Sequence, residues 1–79
     1  MQKTLDLLKP GQKAIIKKIN NTGSIRRRLL DIGIIPGSII ECYLESPFKD
    51  PIAYKIKNAI IAIRKCDSKE IEVDIIWKE

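Results

Sequence analysis

Short runs of alternating apolar and polar residues are the sequence feature that most restricts the fold of this chain. In Ser38–Glu45, the side chains of Ile40, Cys42 and Leu44 alternate with Glu41, Tyr43 and Glu45, which is typical of a strand with one buried face. Similar or β-branched runs, bounded by turn residues, recur along the chain. They predict five strands, over Lys13–Asn20, Ser38–Glu45, Ile52–Lys57, Ala59–Arg64 and Ile71–Trp77.

The predicted strands are short and are separated by tight turns, with one helical segment after the first of them. This arrangement predicts a mostly β fold, a small SH3-like barrel of about five antiparallel strands with one short helix after the first strand. Closure of the barrel would hide strand edges that otherwise aggregate. A chain of 79 residues is long enough for a single domain, 1–79. We expect Cys42 to be a small buried apolar residue, and Asn58 to take a positive φ in the turn between the third and fourth predicted strands.

The helical segment has both of its ends marked in the sequence. Ser24 is a favourable N-cap, Gly33 lies where a helix stops with a left-handed residue, and Pro36-Gly37 then forms a turn. We therefore assign Gly33, Pro36 and Gly37 to backbone geometry. At 100° per residue, Ile25, Leu29 and Ile32 share one helix face, which we expect in the core.

Three consecutive arginines, Arg26, Arg27 and Arg28, follow the predicted cap. In the first turn they would meet the positive end of the helix dipole, so each should weaken the helix by a few tenths of a kcal/mol. Arg27 can reach Asp31, but an exposed pair in that order is worth only about 0.3 kcal/mol. The cluster therefore predicts a surface that meets something acidic or polar, although a solvated polar face is the alternative for any single arginine.

The residue inventory argues against catalysis and against a metal or cofactor site. The chain has no histidine, no nucleophile elbow and no phosphate-binding Gly-rich loop. Its two cysteines are far apart, and its carboxylates are dispersed without ligand spacing. We predict a non-enzymatic protein with no metal site and no cofactor.

The chain is basic, with a net charge of +5 and a pI near 9.4. This charge suits an acidic protein surface, a nucleic acid or an anionic membrane face. A nucleic-acid-binding barrel remains an alternative, but the four aromatic residues provide few stacking platforms. No apolar run is long enough to span a membrane, and the N-terminus lacks a secretory segment. We therefore expect a cytoplasmic protein.

Four segments of the chain together resemble the FeoA family. They are Thr4–Gly11, Arg27–Gly37 with its Arg-Leu-x-x-x-Gly-x-x-Pro-Gly pattern, Ser46–Ile52 with Asp-Pro-Ile, and Ile61–Lys65 with Ile-Arg. The segments span nearly the whole chain, and their combination is rather specific. One departure from the family pattern is Asn58, which occupies a hairpin turn where the family often has Gly. The chain also ends soon after Trp77, and we expect no fused transporter.

The resemblance implies a small cytosolic SH3-like barrel that accompanies the ferrous-iron permease FeoB, a membrane protein with a cytosolic GTP-binding domain. Transition-metal binding is commonly attributed to the family, although no residue here supports direct ligation. Because related domains occur at the C-terminus of metal-dependent repressors, a metal-responsive regulatory domain is an alternative implied by the same resemblance.

We therefore expect the chain to dock on the cytosolic GTPase domain of the permease and to meet the membrane only through it. Arg26, Arg27, Arg28 and Lys49 would steer the domain to an acidic face. Leu30, which lies off the inner helix face, and Phe48 would supply a small apolar contact. Leu30 packed under a loop is the alternative for that residue.

Overall fold

Six strands and three short helical segments form the described part of the protein. The computed structural model describes residues 2–45 and 50–77. In chain order the elements are β1 (Gln2–Thr4), a 3-10 turn (Leu5–Leu7), β2 (Lys13–Ile19), α1 (Gly23–Asp31), β3 (Ile39–Glu45), β4 (Ile52–Ile56), β5 (Ala59–Ile63), α2 (Lys65–Ser68) and β6 (Ile71–Trp77). All five predicted strands are present, with bounds that differ by at most one residue. The sixth, β1, is only three residues long and was not predicted, because so short a run shows no periodicity.

The strands form one antiparallel sheet in the order β1-β6-β2-β3-β4-β5. Within the described residues, β1 and β5 do not pair with each other, so the predicted closure is incomplete and two strand edges remain. The 3-10 turn, which follows β1, and α2, which follows β5, contact each other. The hydroxyl of Tyr54 on β4 also donates a hydrogen bond to the carbonyl oxygen of Leu5, at 3.3 Å in the buried interior.

The inner face of the curved sheet forms the core, as the alternation predicts. Its members are apolar residues with at most 5% of their surface exposed, namely Leu5, Leu8, Ala14, Ile16, Ile19, Leu29, Ile34, Ile40, Cys42, Ile52, Tyr54, Ile56, Ile63, Ile71 and Val73. The predicted burial of Cys42 is confirmed.

Leu44 is an exception to the alternation in β3. It was predicted on the buried face with Ile40 and Cys42, but it is 48% exposed, as is Tyr43. Cys42 pairs with Tyr54 and Leu44 pairs with Ala53, so β3 contains one extra residue relative to β4. Such a β-bulge turns the side chains that follow it to the opposite face.

The turn between β4 and β5 contains Asn58, as expected, and also Lys57, which was predicted as the last residue of the preceding strand. The residue with positive φ, however, is Lys57 at 55°, and the prediction of a left-handed Asn58 is wrong. A lysine gains no local stabilisation in this conformation, because its side chain cannot hydrogen-bond to its own backbone as Asn does.

The helix α1 begins earlier than the sequence predicted. Its first residue is Gly23, its N-cap is Thr22, and no side chain caps it, so the assignment of Ser24 as N-cap is wrong. Gly23 adopts a φ of 65°, a conformation that glycine takes without strain. The chain therefore enters the helix one residue before the best capping side chain.

The C-terminal end of α1 follows the prediction. Gly33 has a φ of 101°, its N–H donates to the carbonyl of Leu30 at 3.1 Å, and the N–H of Ile34 donates to the carbonyl of Leu29 at 2.9 Å. These two bonds make a Schellman motif, and the buried Ile34 and Leu29 supply its apolar contact.

The turn after this motif has the type II arrangement, with a proline at its second position and a left-handed glycine at its third. Ser38 N–H donates to the carbonyl of Ile35 at 3.0 Å, across Pro36 and Gly37, and Gly37 has a φ of 93°. The turn leads the chain into β3.

Two of the predicted contact residues, Phe48 and Lys49, lie outside the described residues. Among the helices of the described part, none is both long enough and apolar enough to cross a membrane.

Candidate docking surface

The arginines of α1 are all exposed and carry unpaired charge. Within residues 2–45 and 50–77, no carboxylate forms an ion pair with Arg26, Arg27 or Arg28. Arg27 and Asp31, which the helical spacing brings within reach, remain separate. An ion pair does form elsewhere, between Lys17 and Asp74 at 3.5 Å. The arginine cluster is thus an open positive patch.

The position of the cluster within α1 differs from the prediction. Because the helix begins at Gly23, Arg26 is its fourth residue rather than part of its first turn, and Arg28 lies in the last turn. A cation in the last turn is stabilised by the helix dipole. The expected clash with the helix N-terminus is therefore wrong, and what distinguishes the cluster is the absence of carboxylate partners.

Arg26 has a structural contact that its two neighbours lack. Its Nη1 donates a hydrogen bond of 2.7 Å to the carbonyl oxygen of Ile19. This bond ties α1 to the end of β2, so Arg26 fixes the orientation of the helix as well as contributing charge. Among residues 2–45 and 50–77, Arg27 and Arg28 make no such hydrogen bond.

The apolar face of α1 is only partly buried. Leu29 is 5% exposed as predicted, but Ile25 and Ile32, which were predicted beside it in the core, are 38% and 40% exposed. Leu30, predicted as an outer contact residue, with packing under a loop as the alternative, is partly buried and packs against the core. The exposed apolar residues on this side are therefore Ile25 of α1 and Ile32 at its C-cap.

A cleft between α1 and β5 explains the exposure of these isoleucines. Within the described residues the sheet ends at β5, so no further described strand covers the side on which Ile25 and Ile32 lie. The cleft has a volume of about 680 Å³. Its apolar lining consists of Ile25, Leu29, Ile32, Pro51, Ile61, Ala62 and Ile63, and its charged lining consists of Arg28, Arg64 and Asp67.

The cleft joins part of the predicted site to residues that the sequence reasoning missed. Of the predicted contact residues, Arg28 lines it, whereas Leu30 does not. Ile61 and Arg64 entered the sequence analysis through a predicted strand and through the family resemblance, and neither was predicted as a contact residue. A signal exists for Ile61, since Ala59–Ile63 is apolar on both faces, whereas a strand with one solvated face alternates.

In the part of the chain that the structure describes, no group of three His, Cys, Asp or Glu side chains is arranged to hold a metal ion. The cleft lining places the cations of Arg28 and Arg64 and the carboxylate of Asp67 beside exposed apolar surface.

The model of the FeoA family, described as the FeoA domain, matches residues 3–75. The chain is 32% identical over 72 residues to an Fe(2+) transport protein A/Fe(2+) transporter FeoB fusion protein of Porphyromonas gingivalis, covering 91% of the chain but only 8% of that protein. It is 33% identical over 73 residues to a putative Fe(2+) transport protein A of Campylobacter jejuni, covering 92% of the chain and 99% of that protein.

Solved structures share the fold. The solution structure of iron(II) transport protein A from Clostridium thermocellum matches with a TM-score of 0.88 and 37% identity, over 92% of the chain and 45% of that protein. FeoA of Stenotrophomonas maltophilia, crystallised with zinc and described as a prokaryotic SH3 domain protein, matches with a TM-score of 0.79 and 23% identity, over 90% of the chain and 88% of that protein. At that identity the likeness concerns the fold alone, and it confirms the predicted SH3-like class.

Proposed function

The chain belongs to the FeoA family, which is associated with ferrous iron transport, and from this premise we propose that it is a non-enzymatic, cytoplasmic accessory protein that docks on the cytosolic GTP-binding part of an FeoB-type permease. The relative from Porphyromonas gingivalis supports direct association, because it carries transport protein A and FeoB in one polypeptide. The membrane is then reached only through the permease.

The observation that carries the proposal is the juxtaposition of unpaired positive charge and an exposed apolar cleft. Arg27 and Arg28 have no carboxylate partner in the described residues, and Arg28 also lines the cleft. Exposed charges of one sign steer a complementary surface toward the site and raise the association rate. The apolar lining then contributes to the binding free energy once the two surfaces are in contact.

The apolar contribution of Ile25 and Ile32 to binding can be estimated from the exposed fraction of each side chain. Ile25 and Ile32 are each about two-fifths exposed, and full burial of such a side chain is worth about 1.5–3 kcal/mol. Covering both would therefore contribute about 1–2 kcal/mol. Micromolar binding corresponds to about 8 kcal/mol, so most of the affinity must come from the arginines, from β5 and from other contacts.

The remaining predicted contact residues have different weights in this proposal. Arg26 contributes charge, but it also supports the helix through its bond to Ile19. Leu30 offers little free surface, because it packs against the core. Phe48 and Lys49 remain in the proposal because both are close in sequence to Pro51, which lines the cleft. They lie three and two positions before it.

The proposal is tested by calorimetric titration of the chain with the soluble cytosolic part of a permease. We expect the double variant R27E/R28E to bind about tenfold more weakly near 0.1 M salt, since each exposed charge contact contributes roughly 0.2–1 kcal/mol and reversal adds repulsion. The loss should shrink as salt is raised.

Lys9→Glu is the control for a single charge reversal, because it makes the same charge change as R27E or R28E alone, on an exposed residue that precedes β2, whereas α1 follows β2. We expect it to bind within about twofold of the parent chain. Equal affinities for R27E/R28E and K9E, with all variants folded, would refute docking through α1.

A further inference from the structure

Strand β5 forms one edge of the sheet and lacks the features that usually protect an edge. Natural edge strands carry charged residues, proline or bulges that prevent pairing with another chain. Ala59–Ile63 contains neither charge nor proline, and its register with β4 is continuous. The opposite edge strand, β1, contains Lys3 and two other polar residues. The described sheet thus has one polar edge and one unprotected apolar edge.

The backbone of β5 has hydrogen-bonding groups available along this edge. A two-residue hairpin turn closes on a hydrogen-bonded pair, here Ile56 and Ala59, and bonded pairs then alternate along the ladder. Ile61 and Ile63 therefore bond to β4, while the N–H and C=O groups of Ile60 and Ala62 point away from it. No backbone bond from another described element reaches either residue, and Ile60 is 54% exposed.

The open edge and the cleft are adjacent, because the cleft lies between β5 and α1 and includes Ile61 and Ala62 in its lining. A strand added to β5 would cover the cleft. Since side chains alternate between the two faces of a strand, every second side chain of the added strand would enter the apolar space beside Ile25 and Ile32. Backbone pairing and side-chain burial would thus occur together.

We propose that β5 accepts an extended segment of the partner as an additional antiparallel or parallel strand, with apolar side chains entering the cleft and acidic side chains facing Arg28 and Arg64. The inference rests on the proposed docking function and specifies how the partner is held. The cations around the edge favour an acidic segment, because Lys57 precedes β5 and Arg64 follows it. Among the described lining residues, Asp67 is the one that is acidic.

A second copy of this chain suits the edge less well than an acidic partner. In the antiparallel register that pairs the whole of β5 with its own copy, Ala59 faces Ile63 and Lys57 faces Lys65 of the second copy. Like charges directly opposite each other are destabilising, and each chain carries a net charge of +5. Charge complementarity therefore selects a partner segment that is negative at its ends.

Amide hydrogen exchange tests strand addition directly. The ¹⁵N-labelled chain is measured alone and saturated with the unlabelled cytosolic part of a permease. We expect the amides of Ile60 and Ala62 to exchange quickly in the free chain and at least tenfold more slowly in the complex, whereas that of Ile61 is slow in both. Unchanged exchange at Ile60 and Ala62 in a saturated complex would overturn strand addition and leave the docking function intact.

A pair of variants at one position separates the backbone from the side chain. Ala62→Pro removes the outward N–H, which proline tolerates on a strand edge, while Ala62→Val keeps it. We expect A62P to bind at least tenfold more weakly and A62V to bind within threefold of the parent, with both variants checked for folding by circular dichroism. Equal binding by A62P and A62V would overturn the inference.

Two further outcomes are distinguishable from these. Absence of binding by the parent chain would remove the docking function, and this inference with it. Protection of Ile60 and Ala62 that appears in the free chain as its own concentration rises would identify a second copy as the occupant and would overturn the acidic partner.

Discussion

Replacement of Gly33 by alanine tests whether the Schellman motif at the end of α1 holds the backbone as described. Gly33 has a φ of 101°, and an L-residue in the left-handed region loses about 1–2 kcal/mol. An added Cβ would meet only the Nζ of Lys57, at 3.9 Å, which is an ordinary contact. Steric overlap therefore adds nothing, and we expect Gly33→Ala to lower the free energy of unfolding by about 1–2 kcal/mol.

Urea denaturation followed by circular dichroism measures this loss. For a domain of this size, 1 kcal/mol corresponds to about 4–8 °C in Tm, so the Tm should fall by roughly 4–16 °C. Gly33→Asn should lose less, because Asn tolerates left-handed conformations better than other residues. Gly37→Ala is a second control, since Gly37 has a φ of 93° and open space at its Cβ, and we expect a loss of similar size. A loss below about 0.5 kcal/mol for G33A would refute the backbone argument.

Two further substitutions test the packing of α1 and the hairpin turn. Leu29→Ala should lower the free energy of unfolding by about 2–5 kcal/mol, because Leu29 is buried. Leu7 is 56% exposed, so the control Leu7→Ala should change this free energy by at most about 0.5 kcal/mol. Equal losses for the two variants in urea denaturation would contradict the burial of Leu29. Lys57→Gly should raise the free energy of unfolding by about 0.5–1 kcal/mol. Glycine removes the backbone strain of a lysine at a φ of 55°, and this gain exceeds the entropic cost of the glycine. An unchanged or lower denaturation midpoint would show that the turn is unstrained.

The strands could be predicted from sequence because the period-two pattern is local. Ile52, Tyr54 and Ile56 alternate without interruption, and all three are buried. Leu44 could not be predicted in the same way, because the bulge that turns it outward depends on the register between β3 and β4. That register is set by pairing between segments distant in sequence.

The exposure of Ile25 and Ile32 also could not be predicted from the local sequence pattern. Helical periodicity identified the apolar face of α1 correctly, but it carries no information on what covers that face. The covering depends on where the sheet ends, and β5 is its last strand. A helix face beside an unfilled edge looks the same in sequence as one packed in a core.

The arginine cluster was found from sequence for a reason that the structure only partly supports. The cluster has no carboxylate partners in the described chain, and its predicted role in docking stays a prediction. Its predicted conflict with the helix dipole depended on Ser24 as the N-cap, and the left-handed Gly23 moves the start of α1 upstream. Capping preferences concern side chains, so they overlook an entry that a glycine backbone permits.

The bulge in β3 affects how related chains must be aligned with this one. After the extra residue Tyr43, Leu44 pairs with Ala53 and lies on the face opposite to the one that its alternation with Cys42 predicts. A homologue with an unbroken ladder would need one residue fewer here. An alignment without a one-residue gap at Tyr43 would then match outward positions of one protein with inward positions of the other, and would transfer residue roles to the wrong side of the sheet.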